Sequence, residues 1–147
     1  MNAIIGPEIA RELGLSAAGL GLLTAIYFFA FAVFQLPLGV LLDRYGPRRV
    51  NATLLLVAAA GGVWFALGAS AAELTAARGL IGLGVSGCLM AAFSAFALWY
   101  PPERIAGMNG IAFASGMLGA VVATVPLEML LRVLHWREVF AGIVALT

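Results

Sequence analysis

Charge is scarce in this sequence: only 10% of its 147 residues are Asp, Glu, Lys or Arg, whereas 63% are hydrophobic. A soluble domain carries about 25% charged residues, because its surface faces water. That shortage excludes a water-covered globule, and a mean hydropathy of +1.07 agrees. Lysine is absent, and the eight basic residues, all arginine, are scattered along the chain. A nucleic-acid surface needs a clustered basic face, so no nucleic-acid partner is expected. The single cysteine, Cys88, has no intrachain partner and reads as a small packing residue. No cofactor, metal site or catalytic residue is expected, and the chain is read as a non-enzyme.

Long apolar runs fill the space that charge leaves. No charged residue or histidine falls in 14–42, 50–72, 79–102 or 105–127. Each run exceeds the roughly 20 residues that cross about 30 Å of hydrocarbon at 1.5 Å per residue. Four such runs in succession imply an all-α, polytopic membrane helix bundle with about four complete spans and a partial helix at each end. The lipid bilayer is its first expected partner.

Turn and cap residues set the expected boundaries. Ser16 is a plausible N-cap, giving a first full span over 17–42 with Pro37 inside it and a kink expected near Gln35–Pro37. Gly46-Pro47 then ends one helix and starts the next, over 48–68. The third span is expected over 73–100, stopped by Pro101-Pro102, and the fourth over 103–131, with Pro126 inside. Residues 1–13 read as the end of an earlier helix and 137–147 as the start of a later one, opened by Trp136 and Arg137. No secretory signal is visible, and both ends look cut, as in a fragment.

The turn with Arg44, Arg48 and Arg49 is the densest short basic loop, which places it on the cytoplasmic side. Alternation puts Pro101–Arg104 on the same side. Small residues recur at helical spacing, including Gly82 and Gly84 on the third span and Gly116 and Gly119 on the fourth. Lipid gives little hydrophobic force between helices, so these glycines are expected to pack helix against helix.

One constellation is more specific than the rest: Gly39, Asp43, Arg44, Gly46, Arg48 and Arg49, in order, between two spans. A topogenic basic loop accounts for the arginines but not for the ordered Gly and Asp. The run resembles the G-x-x-x-D-R-x-G-x-R-R signature of the major facilitator superfamily, between that family's second and third helices. The resemblance continues in register, so the chain reads as the N-terminal six-helix half of such a transporter. Arg78-Gly-Leu-Ile-Gly82-Leu-Gly84 is similar to the family's R-x-x-x-G-x-G on helix four, with Ile81 where Gln is frequent. Trp136-Arg137-Glu138 looks like the common start of helix six.

Several expectations follow from that resemblance. The function implied is secondary transport of a small solute by alternating access, in a bacterial inner (plasma) membrane, with coupling to a proton or ion gradient left open. The C-terminal half is the missing partner. Asp43 can face the positive end of a partner helix, and Arg48 and Arg49 can clamp Glu103, forming a conformational latch. Arg78 is the chief substrate candidate, with Gln35 and Tyr27 as further cavity candidates; an Arg snorkelling to the outer interface is the alternative for Arg78. The stretch from Ser115 to Ala120 lacks the proline of drug/proton antiporters, favouring symport or uniport. Glu128 pairs with Arg132 in the plain reading.

Two rivals belong to other classes. Gly84-Val-Ser86-Gly87 also matches the G-x-S-G of intramembrane serine proteases, with His135 the sole histidine. A nucleophile and base must meet within roughly 3 Å, yet Ser86 should lie mid-span and His135 at the outer face. A non-transporting helical scaffold is the third reading.

Overall fold

The computed structural model describes residues 6, 9–12, 14–131, 134 and 136–145. Among them there are helices and turns and no strand. Helical residues 9–12 are followed, among the described residues, by α1 Ala17–Tyr45, α2 Pro47–Leu67, α3 Ala71–Val85, α4 Cys88–Trp99, α5 Pro102–Leu131 and α6 Trp136–Ala145. Four stretches are long and apolar enough to cross a membrane: Ala17–Tyr45, Pro47–Leu67, Ala71–Trp99 and Pro102–Leu131. The chain is therefore a multi-pass membrane protein.

Local chemistry explains most ends. The Ser16 side chain accepts from Gly19 N at 3.2 Å, satisfying an orphan donor at the start of α1. Gly46 sits at φ +79°, a left-handed conformation that a glycine adopts without Cβ strain, and Pro47 opens α2 directly after it. Ser70 and Glu73 form a reciprocal capping box that starts α3. α1 runs unbroken through Pro37. The third span runs over Ala71–Trp99; Ser86 and Gly87, where α3 meets α4, keep right-handed helical dihedrals, and Ser86 N bonds back to Leu83 O at 3.2 Å.

α3 packs most extensively, against both α1 and α2. Glycines make that possible. A Cβ on Gly82 would land on the Tyr27 carbonyl of α1, and one on Gly84 would land on the Ala58 backbone of α2. A Cβ on Gly61 would come within 3.0 Å of Ile81 N. Two apolar cores result. One joins Ile9, Leu23, Phe65, Leu74, Ala77 and Trp136; the other joins Leu38, Leu42, Val50, Leu54 and Ala91 near the Gly46 turn.

α5 differs. None of its residues is buried, and its main described neighbours are α4 and the start of α6. The packing expected at Gly116 and Gly119 is not made among the described residues, because a Cβ at either would meet nothing within 4 Å. Small residues allow close approach but do not supply the partner.

Candidate functional site

Arg78 is the one buried charged residue among those described, at 7% exposure. It sits two turns into α3, roughly 10 Å below the helix start at 1.5 Å per residue. Its guanidinium lies 4.5 Å over the Phe65 ring of α2. It also borders a cavity of about 260 Å³ with Gly6, Ile9, Leu20, Gly21, Leu23 and Thr24. A cation taken out of water is costly, and an aromatic face offsets only part of that cost. An Arg snorkelling to headgroup water would stay exposed; this one is walled in by three helical segments.

The other cavity candidates occupy different places. Tyr27 is half-buried, its ring edge-on to Phe28 at 5.1 Å, and its backbone is the surface on which Gly82 rests. The Gln35 side-chain amide donates to the Ser86 carbonyl at 3.2 Å, so it is engaged with the middle of the third span. Neither borders the Arg78 cavity.

The loop motif forms no closed latch within this chain. Asp43, Arg44, Arg48, Arg49 and Glu103 are all exposed, and among the described residues no ion pair joins them. Arg44 instead stacks on Tyr45 at 5.5 Å. The expected clamp of Arg48 and Arg49 on Glu103 is thus not made. Fully hydrated pairs contribute only about 0–1 kcal/mol, too little to draw the two loops together. Gly39 and Asp43 do share a groove of about 390 Å³ with Met90, Phe93 and Ser94 of α4.

A knot that sequence reading missed ties distant segments together. Glu12 accepts from Trp136 Nε1 at 2.6 Å and from Arg137 Nη2 at 3.0 Å. Arg137 Nη1 donates to the Ala66 carbonyl at 3.0 Å, capping the end of α2. Trp136 is fully buried, edge-on to Phe65, which in turn carries Arg78. The adjacent Trp and Arg were visible in sequence, but nothing local announced Glu12 as their partner. Glu12→Ala leaves a buried indole N–H and a guanidinium short of an acceptor. It should lower stability by about 1–3 kcal/mol, read from unfolding in mixed micelles.

The protease reading fails on its nucleophile. Ser86 is 2% exposed and its hydroxyl donates to the Leu83 carbonyl at 2.6 Å. His135 lies outside the described residues, as does Arg132, the expected partner of Glu128.

The family model described as Major Facilitator Superfamily matches residues 1–147. The chain is 27% identical over 138 residues to a probable sulfoacetate transporter of Cupriavidus necator, covering 94% of the chain and 32% of the relative. It is 27% identical to a nitrate/nitrite transporter of a Picosynechococcus strain, covering 91% and 30%. It is 29% identical to a probable galactarate/D-glucarate transporter of Bacillus subtilis, covering 94% and 32%. The chain thus spans about a third of the length of these relatives. No solved structure matches.

Proposed function

Since this chain belongs to the Major Facilitator Superfamily, we propose that it is the N-terminal part of a transporter that moves a small organic or inorganic anion by alternating access. The supporting observation is Arg78, a buried guanidinium beside a cavity. The relatives' names point the same way: sulfoacetate, nitrate and nitrite, and galactarate and D-glucarate differ in shape but share negative charge. A planar fork of N–H donors suits carboxylate, sulfonate and nitrate oxygens alike.

The rest of the proposal follows from family architecture. The substrate passage lies between two halves, so a C-terminal bundle completes it. The Asp43–Arg49 turn meets that bundle instead of Glu103. The membrane is a bacterial inner membrane, and uptake is symport or uniport, with a proton or ion gradient as the driving force in the symport case.

Uptake by the longer polypeptide in proteoliposomes tests the anion class, with labelled nitrate, a short sulfonate, a sugar diacid and neutral glucose as substrates. At least one anion should accumulate and glucose should not, while the 147-residue chain alone moves none of them. Accumulation of glucose with no anion would overturn the reading.

A further inference from the structure

Grooves of similar size open around the turn that joins α1 to α2, and they differ in charge. One of about 390 Å³ between α1 and α4 is bordered by Asp43, and one of about 410 Å³ between α2 and α4 is bordered by Arg48 and Asn51. Another, of about 400 Å³, has no residue of α4 in its walls. It runs between Phe34 and Leu41 of α1 and Val50, Leu54 and Val57 of α2, with Leu83 of α3. Thr53 also borders it, but its hydroxyl is already turned onto the Arg49 carbonyl at 3.0 Å. The walls are therefore apolar.

Its charge is gathered at one end. Tyr45 and Arg49 border the groove beside the Gly46 turn, and both are exposed. The Arg44 guanidinium lies 5.5 Å over the Tyr45 ring, which brings a second cation to that end. No carboxylate answers them there. The first turn of α2 holds no acidic residue, and its N-cap, Gly46, makes no side-chain cap, so the positive helix start adds to the field. Asp43 borders the groove on the other face of α1. From Phe34 to Tyr45 the wall spans roughly 16 Å of helix, about the hydrocarbon depth of one leaflet.

We propose that this groove holds one anionic phospholipid, with its phosphate on Arg49 and an acyl chain along Phe34, Leu41, Leu54 and Val57. Charge complementarity selects the occupant: an apolar slot one leaflet long, with cations at its water end, matches a tail with a negative head. The positive-inside rule sets the arginine-rich turn in the cytoplasmic leaflet, which carries the anionic lipids. A zwitterionic head would bring an ammonium against Arg44 and Arg49, and a soluble phosphate has nothing to lay in the slot. The site stands whether or not the transported solute is an anion.

Native mass spectrometry of the longer polypeptide, released from detergent micelles, tests this. The probes are phosphatidylglycerol, phosphatidylethanolamine and phosphatidylcholine with the same acyl chains, and glycerol 3-phosphate as a head without a tail. Phosphatidylglycerol should be retained about tenfold more tightly than the two zwitterionic lipids, the size of one hydrogen bond to a charged group, and glycerol 3-phosphate should not be retained. Arg49→Gln should remove that preference. Arg48→Gln takes the same charge from the same turn but borders the other groove, and should keep it. Thr53→Phe, at an exposed position on the rim, should fill the slot and lower retention of every lipid. Equal loss in Arg48→Gln and Arg49→Gln would overturn the site, since it would mark diffuse attraction to the basic turn. So would equal retention of the three lipids, or wild-type retention of phosphatidylglycerol by Thr53→Phe. Retention of no lipid would also overturn it and would mean that the slot is covered by protein, either another part of the longer polypeptide or a second copy.

Discussion

Arg78→Ala in the longer transporter should reduce anion uptake by about 100-fold while leaving the protein folded in the membrane. The size follows from the bond type: hydrogen bonds to a charged group contribute about 1.5–3 kcal/mol, and every 1.4 kcal/mol is tenfold. Arg78→Lys keeps the charge but loses the planar fork, so about tenfold loss is expected, mostly in KM. Folding should survive because the substitution removes a buried charge along with its contact on Phe65, and deleting a buried charge relieves its desolvation cost. Monodisperse elution of the variant checks that. Uptake of the anion unchanged in Arg78→Ala would move the substrate contact elsewhere and leave Arg78 a structural residue.

Gly82→Ala should be among the most damaging methyl additions in the chain. The new Cβ falls on the Tyr27 carbonyl of α1, and the one in Gly84→Ala falls on the Ala58 backbone of α2. A side chain can rotate out of such a clash, but a backbone in a packed helix cannot. The helices must therefore separate along their whole contact. Overpacking costs typically about 1–3 kcal/mol, and backbone partners place both variants at or above the top of that range. In lipid the loss is sharper still, because close packing is what holds helices together. Gly116→Ala and Gly119→Ala add the same methyl to an open face. They should stay within about 0.5 kcal/mol of wild type, tilted towards stabilisation by the better helix propensity of alanine. Unfolding of the four variants by SDS titration reads the contrast. Equal behaviour of Gly82→Ala and Gly116→Ala would mean that α3 is not clamped as the structure shows.

Those four glycines mark the boundary between what local pattern reveals and what it conceals. Membrane burial was legible because hydrocarbon thickness imposes a length on apolar runs, and 14–42, 50–72, 79–102 and 105–127 each exceed it. The Ser16 cap and the Gly46-Pro47 turn were legible because caps and turns are chemistry of adjacent residues. The family signature from Gly39 to Arg49 was legible for the same reason, being one unbroken stretch. Partnership across helices was not. Gly82 and Gly116 look alike in sequence, yet only the first meets a backbone, because contact depends on which helix lies opposite. Gln35 looked like a cavity residue until the fold set it against a carbonyl far along the chain, at Ser86. Glu12 carried no signal until Trp136 and Arg137 were brought to it. By itself, the sequence determined that four apolar helices are long enough to cross a membrane, and the family, since bilayer length and short-range chemistry act along the chain. The tertiary structure alone decided that Arg78 is walled into a cavity instead of reaching the interface, that Gln35 bonds the Ser86 carbonyl, and which glycines meet a neighbouring backbone, since those depend on packing between segments distant in sequence.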